Sequence, residues 1–462
     1  MNESIIIGNQ IQVYFSSHAS LAAIGRKVKQ LKMLDPIARL VKITQKTIHY
    51  TPVEKLTDAF ITLLAGAQGL VEINKRLKAD VGLQRAFGRQ GCAEQSVVQD
   101  TLDACTAQNV EQMHQAMQSI FRQHSQTYRH EYGLAWQVLD ADMTGRPCGK
   151  KAAFASKGYF AKQRNRRGRQ EGVVIGTWYE EIVVERLFDG TTQLNTALRP
   201  LIAATESVLA LDEHKRQRTI LRIDSGGGSV ADINWALERG YQIHAKDYSG
   251  VRASTLAESV TEWITDPADP RRQMGWVTVK TDLYCREVRR IAVRCQKQNG
   301  QWGVGVILST LTAKDVLFLT GGQLWEATDP KAVLLAYVHF YDERGGGVEI
   351  EIKEDKQGLA TTKRNKKRFE AQQMLLQLEV LAHNVLIWAR GWLAPTCSKI
   401  AHLGIKRLVR DIFCMDGFLI FDQSVSLIKV KLNRADPFAR ELGLGLASLF
   451  AREHVAICLG ET

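Results

Sequence analysis

What the sequence lacks narrows its chemistry first. Its eight cysteines (Cys92, Cys105, Cys148, Cys285, Cys295, Cys397, Cys414 and Cys458) form no C-x-x-C pair. A zinc ribbon and a disulfide framework are therefore not indicated, and reduced, scattered core thiols are expected. The eleven histidines contain no H-E-x-x-H or comparable cluster, so a histidine-built metal site is not expected. No stretch approaches the roughly 18 uninterrupted apolar residues of a membrane span, and the start, MNESIIIGNQIQVYF, has no basic segment ahead of a long apolar one. A soluble, cytoplasmic protein without a membrane partner is the expectation. Internal repeats and long low-complexity tracts are also missing. What is in excess is positive charge: 462 residues carry a formal net charge of +12, which favours a polyanion and makes nucleic acid the default partner.

Pattern changes along the chain give its organisation. From about Ser17 to Tyr132 apolar residues recur every three or four positions, as in LTDAFITLLAGAQGLVEINKRL, so residues 1–132 are expected to be an all-helical domain. Within it, FGRQGCAEQSVVQDTLDA reads as a polar turn entering a helix. Gln95 and Ser96 would project from its first turn toward DNA, although polar residues start ordinary helices equally well. From Leu134 the texture becomes short apolar strands with helical stretches between them, in the order β-β-β-α-β-α-β of a ribonuclease H-like core. The expected division is a first part of the core at 133–248, a β-rich insertion at 249–330, the rest of the core with its acidic helix at 331–390, and a DNA-end or dimer-contact region at 391–462. The fold class is mixed α/β, with ligands beyond the strand ends.

Three acidic stations stand out: VLDADMTG with Asp140 and Asp142, LRIDSGGG with Asp224, and YDERGGGVEIEIKEDK with Glu349. The first two end apolar, strand-like runs, and the third lies in a charged, helix-favouring run. Three carboxylates gathered at one end of a sheet can hold two divalent cations such as Mg²⁺, which clamp the attacking and leaving oxygens of an in-line phosphoryl displacement. The substrate would be a phosphodiester. Asp140 and Asp142 share a strand face if the strand continues. The glycines after Asp224 let backbone approach a phosphate or metal closely, but the run lacks the Lys-Ser/Thr of a phosphate-binding loop.

At these residues the chain resembles the insertion-sequence DDE transposases, and most closely the branch with a Tyr-Arg-Glu-Lys signature, the IS-thirteen-eighty group. The resemblance rests on LDADMT, on KGYF at Lys157 to Phe160, on RIDSG, on GYQIHAKDYS, and on Tyr341, Arg344, Glu349 and Lys356. It implies a DNA-binding role for the helical domain 1–132, with Asp142, Asp224 and Glu349 as catalytic metal ligands for two Mg²⁺, Mn²⁺ as substitute, and Tyr341, Arg344 and Lys356 beside the scissile DNA phosphate. Glu349 follows Arg344 by five residues where relatives have four. One extra residue turns a regular helix by about 100°, so either a bulge absorbs it or a new helix begins after Gly345 to Gly347, with Glu351 and Glu354 as fallback ligands. The basic runs KGYFAKQRNRRGRQ and TTKRNKKRF resemble DNA-tracking loops, which would bring Lys157, Arg164, Arg166 and Arg167 to DNA, although either run alone is more often a solubilising surface. Trp302 and Trp325 would stack on an extruded base, with core packing the commoner role for each. The implied function is a bacterial, nucleoid-associated transposase. As a dimer it would bind terminal inverted repeats in double-stranded DNA, cleave the element ends and join the 3′-hydroxyls to target DNA, through hairpin ends if a tryptophan receives a flipped base. The alternatives are a ribonuclease H-like nuclease without strand transfer and a catalytically silent DNA-binding protein.

Overall fold

The computed structural model describes residues 5–6, 11–46, 49–160, 163, 165–280 and 283–461, in two compact units. One unit comprises Met1–Ser125, Pro147–Ala155 and Glu351–Thr462. At its centre is a 25-residue helix, Phe369–Leu393, buried on nearly every side through residues such as Leu375, Leu378, Leu381 and Val385. A helix without a polar face belongs inside a core. The helices Pro52–Leu64, Gln95–Asp103 and Ala107–His124 pack against it. Thr51 and Thr106 start two of them with reciprocal capping boxes, which satisfy the otherwise orphaned N–H groups of the first turn.

The N-terminal region is not all-helical, and the C-terminal region is not a domain of its own. Gln12–Ser16 is a strand that pairs antiparallel with Gly417–Phe421, and the sheet continues through Leu427–Asn433 to Ala456–Gly460. The C-terminal strands are thus completed by residues near the start of the chain. The reason is burial: Gly417, Leu419 and Phe421 alternate onto a buried face, and a short hairpin alone cannot cover one.

The second unit comprises Gln126–Arg146 and Ser156–Ile350. Its strands begin with β1 (Gln137–Pro147), β2 (Arg167–Gly176) and β3 (Glu181–Phe188). Helix α1 (Leu194–Leu209) leads to β4 (Thr219–Ile223), and α2 (Val230–Glu238) to β5 (Gln242–Lys246). The order across the sheet is β3-β2-β1-β4-β5, with β1 to β4 and β4 to β5 parallel and β2 to β3 antiparallel. This is a ribonuclease H-like core, as the strand and helix order predicts.

The β-rich interval forms strands β6 (Ile264–Asp266), β7 (Asp269–Trp276), β8 (Arg289–Gln296) and β9 (Trp302–Ser309). It does not stand apart as an insertion with its own sheet: β9 pairs antiparallel with β5, Ile307 opposite Lys246, so that one ten-stranded sheet results among the described residues. Without β9, the β5 edge would present unpaired backbone groups. Helix α3 (Pro330–Gly346) starts at Asp329, whose side chain accepts from the Lys331 N–H, with proline in the first turn, where its missing donor costs nothing. It buries Val333, Leu334, Tyr337 and Phe340 in the cluster that also holds Val138, Ile220 and Ile307. Gly347 ends α3, and α4 (Val348–Gly358) begins directly after it.

Candidate active site

Asp142 and Asp224 are neighbours by register. β1 and β4 pair from Gln137 opposite Thr219 to Ala141 opposite Ile223, and each aspartate is the next residue beyond that last pair. Adjacent strands lie roughly 4.8 Å apart, so the two carboxylates leave the sheet side by side. After Asp224 the glycines do not form an open cradle. A Cβ on Gly228 would lie 1.9 Å from the Lys246 carbonyl oxygen, so glycine is required there for backbone to pack on backbone.

The two aspartates of β1 differ sharply. Asp140 is fully buried, and its carboxylate accepts from Arg222 Nε at 2.7 Å and Nη2 at 2.8 Å and from the Thr177 hydroxyl at 2.9 Å. Arg222, also fully buried, donates through Nη1 to the Phe340 carbonyl at 2.7 Å. This pair locks β1, β4 and α3 together. Asp142, one pleat further, keeps 18 % of its side chain exposed and faces Arg344 Nη2 at 3.2 Å. Its Oδ1 also accepts from the Met143 N–H at 2.7 Å.

Helix α3 delivers the remaining groups. The Tyr341 hydroxyl donates to Asp224 Oδ1 at 3.2 Å. Arg344, 3 % exposed, donates to the Ala141 carbonyl at 3.0 Å and reaches Glu349 Oε1 at 3.5 Å. Glu349 sits in the first turn of α4 with its side chain mostly exposed. The helix break at Gly347 separates Arg344 from Glu349 and lets the two meet at 3.5 Å. Burial, followed by the charges of Asp224 and Glu349, raises the Asp142 carboxyl above the usual aspartate range, while Arg344 and the Met143 N–H oppose the rise. Burial works against the Arg344 charge, yet Asp142, Tyr341, Asp140 and Asp224 hold its pKa up. Burial and Asp224 keep the Tyr341 hydroxyl protonated.

The fallback carboxylates are placed differently. Glu351 is buried, 4.0 Å from His383 Nε2, and Glu354 accepts from the Lys406 backbone N–H at 2.9 Å. Lys356 is half-buried in α4. Arg344, expected against a DNA phosphate, faces the carboxylates of Asp142 and Glu349 in the DNA-free protein. The second basic run is divided: Lys363, Lys367 and Arg368 are exposed, while Arg364 and Lys366 are buried, Arg364 donating to the Leu359 carbonyl at 2.8 Å and Lys366 Nζ to Gln99 at 2.7 Å. The buried pair holds its segment, Lys366 tying it to the helix Gln95–Asp103, and the three exposed cations are the part of TTKRNKKRF that faces solvent. In the first run Lys157, Arg166 and Arg167 are exposed, and Arg164 lies outside the described residues. Gln95 and Ser96 open the helix Gln95–Asp103, the Gln95 N–H bonded to the Asn74 side chain. Neither tryptophan packs in the core: Trp325 is 72 % exposed, and Trp302, 39 % exposed, stacks on Arg294, which also stacks on Trp263.

The chain matches the family model of the transposase DDE domain, group 1, over residues 14–453. It belongs to that family of DDE transposases. Among solved structures it is similar to a cryo-EM structure of the piggyBac transposase synaptic complex with hairpin DNA, with 11 % identity, a TM-score of 0.44, and coverage of 84 % of this chain and 79 % of that one. No curated protein matches.

Membership of a DDE transposase family implies use of a divalent metal, usually Mg²⁺. Asp142, Asp224 and Glu349 fit such an ion in kind and charge, since hard cations take carboxylate oxygens. Among the described residues, no three carboxylate, imidazole or thiol groups already stand in position to hold one. A guanidinium bridges two of the three carboxylates instead.

Two groups that hold this DDE site escaped the sequence reading. Arg222 was legible in principle: a lone cation inside the apolar run TILRI must find a buried partner. His244 was not. It is fully buried between the Ser309 hydroxyl at 3.1 Å and the Tyr337 carbonyl at 3.0 Å, and burial lowers its pKa to about 3, with Arg222 adding to the shift. Like Arg222 on Phe340 and Arg344 on Ala141, it is a polar tie between α3 and the sheet.

Proposed function

We propose that the chain is the transposase of an insertion sequence of the IS-thirteen-eighty group, with Tyr341, Arg344, Glu349 and Lys356 as its Tyr-Arg-Glu-Lys signature. It acts in the bacterial cytoplasm on nucleoid DNA. As a homodimer it binds the terminal inverted repeats, cleaves at the element ends and joins the freed 3′-hydroxyls to target DNA. The observation that carries this reading is the convergence of three carboxylates: Asp142 and Asp224, each the residue just past the last β1–β4 pair, and Glu349 reaching the arginine that faces Asp142. Two Mg²⁺ held by these groups, or Mn²⁺ in their place, would supply Lewis-acid stabilisation of the attacking and leaving oxygens. Tyr341 orients Asp224 through its hydroxyl. Lys157, Arg164, Arg166, Arg167 and Lys356 serve as phosphate contacts, and Gln95 and Ser96 as contacts from a helix start. Exposed Trp325 or Trp302 would receive a flipped base and so support a hairpin route.

An assay on end-containing DNA with Mg²⁺ tests the reading. Strand joining supports it, cleavage alone indicates a nuclease without strand transfer, and binding alone a silent DNA-binding protein. Glu349→Gln is expected to bind DNA ends normally and to stop cleavage, because it removes a ligand charge at nearly constant volume. Normal cleavage by Glu349→Gln together with its loss in Glu351→Gln would show that the register across Gly347 is misassigned.

A further inference from the structure

The two arginine–aspartate pairs along β1 are built to opposite specifications. Arg222 holds Asp140 with two short hydrogen bonds, both partners are fully buried, and the remaining guanidinium nitrogen is satisfied by the Phe340 carbonyl. Arg344 donates to the Ala141 carbonyl at 3.0 Å but meets its carboxylates loosely, Asp142 through a single nitrogen at 3.2 Å and Glu349 at 3.5 Å, and its Nε is buried without a hydrogen-bond partner among the described residues. An arginine that is buried, bridges two carboxylates and leaves a donor unmet is held by charge more than by geometry. One turn earlier on the same helix, Tyr341 covers the third carboxylate, Asp224.

We infer that Arg344 is an exchangeable internal counter-ion, occupying Asp142 and Glu349 in the DNA-free protein and competing there with divalent cations until a DNA phosphate takes its guanidinium. This rests on the reading of Asp142, Asp224 and Glu349 as metal ligands. Its logic is charge balance. Three carboxylates gathered at a strand end repel one another, and Arg344 offsets that repulsion by facing two of them. A metal entering the site must displace or share that cation. A phosphate arriving beside Arg344 offers it the bidentate oxygen pair that Asp142 does not, and so frees the carboxylates. Metal and DNA would then tighten each other's binding by the same factor, as linkage requires.

The test measures Mn²⁺ binding to DNA-free protein by electron paramagnetic resonance of the free ion, for wild type, Arg344→Met, Arg344→Lys and Asp142→Asn. Arg344→Met is expected to bind Mn²⁺ about tenfold more tightly or better, the scale on which a nearby unit charge competes after solvent screening. Arg344→Lys, which keeps the charge, stays near wild type, and a merely structural arginine would not give this split. Unchanged or weaker binding in Arg344→Met, with binding still abolished by Asp142→Asn, overturns the counter-ion and leaves the metal site standing. Binding indifferent to Asp142→Asn overturns the site and the inference with it. Should Arg344→Met fail to fold, wild type decides the matter. A short DNA duplex should tighten its Mn²⁺ affinity relative to an Asp142→Asn blank, and no tightening refutes the exchange.

Discussion

Replacing Asp140 and Asp142 separately by asparagine should cause two different failures from positions two residues apart on one strand. Asp140→Asn removes the charge from a pair in which both partners are fully buried. Arg222 would keep the Phe340 carbonyl at 2.7 Å and the half-exposed Glu343 at 3.6 Å, but its main counter-ion would be gone. Breaking a buried pair on one side costs about 3–5 kcal/mol. For a unit of about two hundred residues that lowers Tm by roughly 6–20 °C. Asp142→Asn acts in the other direction. The folded protein raises the Asp142 pKa, first by burial and then through Asp224 and Glu349, so the folded state binds the proton more readily than the unfolded chain. Stability therefore falls as pH rises from the ordinary aspartate value through the raised one, the cost of ionising Asp142 in the folded protein. Asparagine relieves it. The expected result at pH 7 is a Tm unchanged or slightly raised, together with loss of end cleavage in Mg²⁺ and in Mn²⁺. Thermal melts and a cleavage assay run below the lower Tm separate the two effects. A strongly destabilised Asp142→Asn beside a normally melting, cleavage-dead Asp140→Asn would refute the assignment of fold to one carboxylate and chemistry to the other.

Two further outcomes follow from the same geometry. Lys157 and Arg166 are exposed in the first basic run, so the double alanine variant should weaken DNA binding and reduce the slope of log affinity against log salt by roughly 1 for each phosphate no longer neutralised; an unchanged slope would place this run away from DNA. His244 is buried as the neutral imidazole with its pKa lowered to about 3, so the unfolded chain takes up its proton first as pH falls. Stability attributable to it is complete above the unfolded value near 6.5 and declines below that value at up to about 1.4 kcal/mol per pH unit. Denaturant titrations between pH 7 and 4 should show that slope in wild type and a shallower one in His244→Gln.

The core topology was readable because each strand and helix has a strong local pattern. Runs such as WQVLDAD and RTILRID end in their aspartates, and two parallel strands in matched register place Asp142 beside Asp224. The helix break was also foreseeable, since three consecutive glycines disfavour a continuous helix, and Gly347 is where α3 stops. Partners distant in sequence were not legible. The five-residue strand Gln12–Ser16 finds its neighbour some four hundred residues later, and no periodicity within so short a run announces that pairing. Within TTKRNKKRF, which cations are buried was illegible for a related reason. Composition counts charges, whereas burial of Arg364 and Lys366 depends on carbonyl and amide acceptors supplied by other segments.

The break at Gly347 also explains how one helix can serve both fold and site. Tyr337, Phe340, Tyr341 and Arg344 descend α3 at intervals of three, one and three residues, so they stay on one side of the helix. The first two are fixed to the sheet through their carbonyls, by His244 and Arg222. The last two reach Asp224 and Asp142 through their side chains. Had α3 continued unbroken, Glu349 would follow Arg344 by five residues, about 140° further round the helix, and would face away from Asp142. Ending the helix at Gly347 and restarting it at Val348 returns Glu349 to Arg344. The tight ties at Tyr337 and Phe340 keep α3 in register on the sheet, and that leaves the looser contact at Arg344 as the place where charge can be exchanged without unfastening the helix.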